Sequence, residues 1–191
     1  EAQYREYLAR VRAQQANKSA VPWLQAFPLK AMQAAGILPP GRLTAGFVES
    51  LVEPMLSFFG VASPEGWEAQ YDQLQAQFRR ARPDAQTDVA AITAWLRMGE
   101  IQAQCREVPA FDAAKLESAL PDMRALTVAD AATIGRELTR LCAQAGVVLV
   151  FVPALQGAHV SGVARWLHGR PLIQLSLLGK WNDTFWFSFF H

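Results

Sequence analysis

The spacing of apolar positions changes once along this chain, at about residue 146. Before that point, apolar residues recur at the three- and four-residue intervals typical of amphipathic helices. The clearest case is "DVAAITAWLRMGEIQAQC", in which Val89, Ile92 and Leu96 fall on one face together with either Trp95 or Met98. We therefore predict a core-facing helix here, with its tryptophan and methionine serving as packing residues.

Proline and glycine divide this helical part into shorter pieces. In "TAGFVESLVEPMLSFFG", the apolar residues Phe47, Leu51 and Met55 are spaced four apart. Pro54 predicts a kink or a break inside this segment, because proline removes a helical hydrogen bond. Gly60 predicts its C-terminal end.

Capping residues predict the ends of two more helices. Ser63 is expected to be an N-cap with Pro64 in the first helical position. Further along, Thr127 is expected to open a helix that Gly146 ends.

After Gly146 the chain has the composition of strands. "VVLVFVPAL" is short, β-branched and apolar, as buried strands are. Two more strand-like runs, residues 160–167 and 171–178, flank His168-Gly169-Arg170, which suits a hairpin. Asn182 or Asp183 is then expected to cap a final helix that begins at about Thr184.

The predicted fold class is accordingly α+β. A mostly helical region, residues 1–145, is expected to act as a linker or interaction region. A small antiparallel-type sheet and the start of a further helix are expected over residues 146–191.

Composition narrows the class of protein. Apolar residues make up 51% of the chain and charged residues 18%, which is enough for a packed core. No uncharged apolar run reaches the length of a membrane span, and no signal-peptide pattern precedes "EAQYREYLAR". A cytoplasmic protein without membrane contact is therefore the expectation.

The charge balance does not favour a nucleic-acid-binding face in this chain. There are 18 Lys and Arg against 17 Asp and Glu, a formal net charge of +1. The tightest basic cluster, Arg79, Arg80 and Arg82, is expected to solvate a helix end.

Cysteine and histidine residues give few candidates for a metal site. Cys105 and Cys142 lie far apart without a C-x-x-C spacing, so buried reduced thiols are expected, with a disulfide as the minor alternative. His159 and His168 belong to no ligand spacing and are expected on surface loops.

The last 45 residues nevertheless resemble a known family, the ImmA/IrrE metallopeptidase domains. The similarity is to the branch in which such a domain follows a helix-turn-helix of the Xre/HigA type, whose segments read like "VSGxxRWL", "xIQLSL" and "KxxDxFWFxFFHExGH". The matching residues are Val160, Ser161, Gly162, Arg165, Trp166 and Leu167, then Ile173 to Leu177, then Lys180, Asp183 and Phe185 to His191. "EAQYREYLAR" also resembles the linker helix that follows the DNA-binding domain in this branch.

The resemblance implies a zinc site of which this chain contains one part. In H-E-x-x-H, two histidines four residues apart on a helix bind one Zn²⁺, and the glutamate activates the bound water. His191 would be the first zinc ligand; the Glu and the second His of the motif are not in this sequence. We therefore expect zinc in an intact protein, and neither zinc nor peptidase activity in this chain. A residue from a purification tag is the alternative explanation of His191.

The resemblance also implies functional expectations. Apart from the resemblance, the apolar residues around Arg165 predict an extended strand that faces the cleft, which makes Arg165 a candidate contact for a substrate or a carboxylate, with an exposed strand residue as the alternative. The intact protein would be a transcriptional regulator that binds DNA through an N-terminal domain and cleaves a regulatory protein or senses an effector. The alternative is a non-catalytic dimerisation or effector-binding module, of a regulator or of an antitoxin. The apolar helix around Phe185 to Phe190 favours a homodimer.

Overall fold

The computed structural model describes residues 2–81, 89–176 and 182–190. The chain is α+β, as predicted: a mostly helical N-terminal region precedes a small three-stranded sheet. In chain order the elements are α1 Ala2–Gln25, α2 Leu29–Ala34, α3 Ala45–Ser50, α4 Val52–Phe59, α5 Pro64–Ala81, α6 Val89–Gln104, α7 Ala113–Ala125, α8 Ala131–Gln144, β1 Val148–Phe151, β2 Gly162–Leu167, β3 Arg170–Leu175 and α9 Asn182–Phe190.

Several predicted helix ends are confirmed. The apolar segment around Pro54 divides at Leu51 into α3 and α4, and Pro54 lies in the first turn of α4. Gly60 ends α4 with a left-handed φ of 70°. The Ser63 hydroxyl accepts a hydrogen bond from the Gly66 amide at 3.3 Å at the start of α5.

The start of α8 differs from the prediction. Thr127 lies in a short 3-10 helix, Leu126–Val128, that continues α7, so it does not cap α8. Asp130 is the N-cap instead, and its carboxylate accepts hydrogen bonds from the amides of Ala132 and Thr133 at 3.1 and 3.0 Å. At the other end, Gly146 follows α8 with a φ of 77°, as expected for a helix stop.

The chain divides into two compact units. The first unit comprises Glu1–Ala94 with Leu155–Gly157, and the second comprises Trp95–Ala154 with Ala158–His191. Helix α6 therefore contributes its Trp95–Gln104 part to the second unit. The predicted boundary between residues 145 and 146, which concerns a family domain, stays a prediction.

The first unit has an aromatic core. Five rings pack edge-to-face or tilted, with centroids 5.2 to 6.1 Å apart. They are Trp23, Phe27, Phe59, Trp67 and Tyr71. Buried aliphatic and methionine side chains fill the space around them, namely Leu24, Met32, Leu51 and Met55.

The second unit is built on a sheet with the strand order β1-β3-β2. The predicted hairpin is confirmed: β2 and β3 are antiparallel and are joined by His168 and Gly169, which have φ of 50° and 78°. Positive φ at both turn residues is the signature of a type I′ turn.

The sheet is mixed, which corrects the antiparallel-type arrangement expected for all three strands. β1 pairs in parallel with β3, with Val148 opposite Leu172. β2 lies two strand positions away from β1, and the tight hairpin returns β3 into the position between them. β2 is therefore an edge strand.

One face of this sheet covers the core of the second unit. Side chains from α7, α8, β1, β3 and α9 form a buried apolar cluster, which includes Leu138, Leu149, Leu175, Phe185 and Trp186. Helix α9 begins at Asn182, two residues before the predicted start, and only two of its aromatic residues are fully buried.

The described residues include no single helix that is long and apolar enough to cross a membrane. A bent pair, Ala45–Phe59 with Pro64–Asp72, satisfies length and composition together. The apolar side chains of this pair include Met55, Phe59 and Trp67, which are buried in the first unit.

Candidate functional site

A charged cluster lies on the sheet face opposite the core of the second unit. Arg165, on β2, donates from Nη1 to Glu100 Oε1 at 2.7 Å and from Nη2 to the Leu96 carbonyl at 3.0 Å. Both partners belong to α6, so this helix covers that face of the sheet. A guanidinium that reaches both a carboxylate and a carbonyl is fixed in one orientation.

The carboxylate of Glu100 lies between two arginines. Its second oxygen, Oε2, accepts a hydrogen bond from Arg97 Nη1 at 2.9 Å. The Glu100 side chain is 10% exposed and that of Arg165 is 25% exposed. A carboxylate buried to this degree is stable only when it is paired and hydrogen-bonded, and these two arginines supply both.

Gln174, on β3, continues this polar cluster under α6. Its side chain is fully buried, and Nε2 donates to the Trp95 carbonyl at 2.7 Å. A Cβ at Gly99 would overlap the Gln174 amide, so the glycine allows helix and strand to approach closely. The Trp95 indole donates in turn to the Val152 carbonyl at 3.1 Å.

The structure thus places the predicted site residue Arg165 in an internal ion pair. The carboxylate that it contacts is Glu100, which the sequence analysis did not single out. A further contact with a substrate stays a prediction. Within the described residues, Arg165 Nε and Gln174 Oε1 are buried without a hydrogen-bond partner.

Glu100 and Gln174 are both polar residues at positions where the sequence pattern is apolar. Glu100 is four residues after Leu96, so it falls on the apolar face of α6. Gln174 interrupts the apolar run "PLIQLSL" of a buried strand. A polar residue in an apolar pattern indicates a buried partner, although it does not identify that partner.

The outer edge of β2 is a second candidate feature. Ser176 donates its amide to the Ser161 carbonyl at 2.9 Å, which makes residues 161 and 176 a hydrogen-bonded pair of the antiparallel ladder. Such pairs alternate along a ladder, so Val163 and Arg165 bond to β3. The N–H and C=O groups of Gly162, Ala164 and Trp166 consequently point away from β3.

Trp166 is exposed beside this edge. Its side chain is 64% exposed and meets the ring of Phe111 edge-to-face, with centroids 5.6 Å apart. Phe111 is itself 38% exposed. In the sequence, Trp166 stands out only as part of a motif, and Phe111, which precedes α7 in a loop, carries no signal of its own.

The predicted surface histidines are confirmed as exposed, and the cysteines differ. His159 and His168 are exposed. Both cysteines are free thiols, but only Cys142 is buried, while Cys105 is exposed at the end of α6. Burial raises the pKa of the Cys142 thiol to about 12.

The predicted zinc ligand His191 lies outside the described residues, as do the side chains of Arg79, Arg80 and Arg82. Within residues 2–81, 89–176 and 182–190, no three or more His, Cys, Asp or Glu side chains gather in a way that could hold a metal ion. The described part of the chain therefore supplies no zinc-ligand set.

Comparison with known proteins gave no match. No protein-family model, no curated protein and no solved structure is similar to this chain at a significant level. The resemblance to the ImmA/IrrE domains therefore rests on the residues quoted above.

Proposed function

We propose that this chain is part of an Xre-type transcriptional regulator and that its second unit belongs to a zinc-metallopeptidase-like domain of the ImmA/IrrE type. In this proposal DNA binding resides in a helix-turn-helix domain outside the given sequence. The peptidase-like domain acts on a regulatory protein or responds to an effector.

The observation that carries the proposal is the order of elements after Gly146. A three-stranded mixed sheet with an antiparallel edge strand is followed by α9, which packs Phe185 and Trp186 against the core. This helix contains "FWFSFF", the run that precedes the first histidine of the family motif. A helix anchored in this way is a suitable support for ligands at i and i+4.

The edge strand supports a protein rather than a small-molecule substrate. Within the described residues, the main-chain donors and acceptors of Gly162, Ala164 and Trp166 point away from β3 and have no partner strand, and an edge of this kind can pair with the main chain of an extended peptide. The ion pair between Arg165 and Glu100 holds this strand against α6. In this account Arg165 positions the strand, and its predicted direct contact with a substrate carboxylate is a further proposal.

Zinc content tests the proposal. Protein produced from the complete gene should bind about one zinc per chain, as expected for a single H-E-x-x-H site. His191→Ala should lose that zinc, whereas the matched control His168→Ala, which changes an exposed histidine of the hairpin turn, should retain it. Zinc-free wild-type protein, or equal zinc in the His191 variant, would contradict the peptidase-like assignment.

A second candidate, a non-catalytic dimerisation module, is favoured by a feature of α1. Tyr4, Tyr7 and Val11 are exposed at i, i+3 and i+7, which places them on one side of the helix. Sedimentation equilibrium of the wild type and of a Tyr4→Ser, Tyr7→Ser variant tests this candidate. A wild-type dimer that the variant converts to a monomer would support it, and a wild-type monomer would exclude it.

A further inference from the structure

The strongest unexplained surface feature of the second unit is the aromatic pair beside the β2 edge. A single exposed aromatic residue on a protein surface needs no explanation. Trp166, however, is exposed over most of its surface, is paired with a second exposed ring, and lies on a strand whose outer main-chain groups have no partner strand among the described residues. These three properties occur together at one place.

The register of β2 determines which residues share the face of Trp166. Side chains alternate along a strand, so Gly162 and Ala164 lie on the same face as Trp166, and Arg165 lies on the opposite face under α6. On the face of β2 that is opposite α6, the strand therefore carries two small residues, Gly162 and Ala164, and then the large aromatic residue Trp166. Only the Trp166 end can make extensive side-chain contact with a neighbouring strand.

Phe111 supports Trp166 from the inner side of the sheet. The Phe111 Cα lies against Gly146, where an added Cβ would be 2.7 Å away, and Gly146 leads into β1. β1 is at the far edge of the sheet from β2. The Phe111 ring contacts the indole edge-to-face, and 64% of the Trp166 side chain stays exposed.

We infer that Trp166, supported by Phe111, is a specificity-determining subsite for one aromatic or large aliphatic side chain of an extended peptide that pairs with β2. This inference rests on the proposed function, in which an extended protein segment binds at that edge. Trp166 presents its N–H and C=O outward, so a pairing peptide residue is held directly opposite it. Side chains at such opposite positions have Cβ atoms roughly 4.5–5.5 Å apart, which is close enough for ring contact.

The register also predicts where selectivity is absent. The peptide residue two positions away lies opposite Ala164, whose methyl group offers little contact area. That position should accept polar and apolar residues alike. The expected preference is therefore a single apolar position flanked at i±2 by a permissive one.

A positional-scanning library of extended seven-residue peptides, with a background of Thr and Lys, tests the inference on the full chain. Wild-type protein should enrich Phe, Tyr, Trp or Leu at one position. Fluorescence anisotropy with the best peptide should show a roughly 10-fold weaker Kd for Trp166→Ala, a loss typical of an aromatic hot spot. Trp166→Phe should retain most of the affinity.

Two controls separate the subsite from the strand pairing. Val128→Ser removes another highly exposed apolar residue and should leave the Kd unchanged. A peptide N-methylated at the residue opposite Trp166 keeps its side chain but loses a main-chain hydrogen bond, so it should bind weakly. Thermal unfolding should be the same for Trp166→Ala and the wild type, since Trp166 is not part of the core.

The possible outcomes distinguish the aromatic subsite at Trp166 from strand pairing along β2. A peptide that is sensitive to N-methylation but binds Trp166→Ala as tightly as the wild type overturns the aromatic subsite and leaves strand pairing intact. A peptide that is insensitive to N-methylation overturns strand pairing at this edge. The absence of any enriched peptide overturns both, while the zinc measurement remains an independent test of the metallopeptidase-like assignment.

Discussion

The interiors of the two units of this protein differ in composition. The first unit is held by a cluster of aromatic rings, with Phe59 in contact with Phe27, Trp67 and Tyr71. The second unit buries charge and amide groups between a helix and a sheet, with Glu100, Arg165 and Gln174 at the centre. Ring packing depends on shape and on the edge-to-face preference of aromatic rings, whereas a polar cluster depends on the identity and pairing of each group.

This difference also concerns the contacts that join neighbouring elements. Arg165–Glu100 is an ion pair that joins two different secondary-structure elements, and it holds the edge strand β2 against α6. The described ring contacts of the first unit lie in its interior. In the proposed function, the peptide-binding edge belongs to the second unit.

The largest expected effect is in the aromatic core. Phe59→Ala should lower the free energy of unfolding by about 4 kcal/mol, because it removes a fully buried ring and leaves a cavity. Urea-induced unfolding followed by circular dichroism measures this loss. Tyr4→Ala, an exposed aromatic residue of the same unit, should change the stability by less than about 0.5 kcal/mol. Equal effects of the two substitutions would contradict a core centred on Phe59.

The polar cluster should be the next most sensitive feature. Glu100→Gln keeps the shape but leaves Arg97 and Arg165 without their carboxylate, and should cost about 2 kcal/mol. The cost is below that of a fully buried pair, because both guanidinium groups reach solvent in part. Glu137→Gln is the matched control, since Glu137 pairs with Arg140 on an exposed helix face, and it should have a clearly smaller effect. Reversal of this order would show that the Glu100 cluster is not stabilising.

The close approach of α6 to β3 gives a smaller effect. Gly99→Ala should destabilise by about 1–2 kcal/mol, because its methyl group overlaps the Gln174 amide and outweighs the better helix propensity of alanine. In a Gln174→Ala background the same substitution should be neutral or stabilising. A double-mutant cycle from urea unfolding measures this coupling. Additive effects would indicate that Gly99 and Gln174 do not touch.

The smallest expected effect concerns the two thiols. A thiol reagent at neutral pH should modify Cys105 in the folded protein and both cysteines in urea, because Cys142 is buried.

Burial raises the pKa of the Cys142 thiol from 9.0 to about 12, so between these pH values the folded state keeps a proton that the unfolded state loses. The stability contribution of the neutral thiol is therefore complete below pH 9 and declines as the pH rises towards about 12. Cys142→Ser should remove this alkaline dependence.

Local signals in the sequence predicted most of the fold. The spacing of apolar residues identified α6, and Gly60, Ser63 and Gly146 marked helix ends, because these residues act through their immediate neighbours. The hairpin was predictable from His168-Gly169 for the same reason. Thr127 was wrong as a cap, since both Thr127 and Asp130 have capping side chains and only the tertiary fold decides which one has an extended backbone.

Non-local features of the candidate site were not predictable. Arg165 was singled out, but its partner Glu100 is 65 residues away and no spacing rule connects the two. The parallel pairing of β1 with β3 likewise depends on strand order, which the pattern of each strand does not contain. The contact of Phe111 with Trp166 joins a loop to an edge strand, so neither residue alone indicates a subsite.

The most direct test of the central claim, an open strand edge in the second unit, is amide hydrogen exchange of β2 resolved by residue. The amides of Ala164 and Trp166 should exchange rapidly, whereas those of Val163 and Arg165 should be protected by their hydrogen bonds to β3. This alternation should disappear when a pairing peptide covers the edge. Uniform protection of all four amides in the free protein would show that the edge is already covered, and would contradict the account.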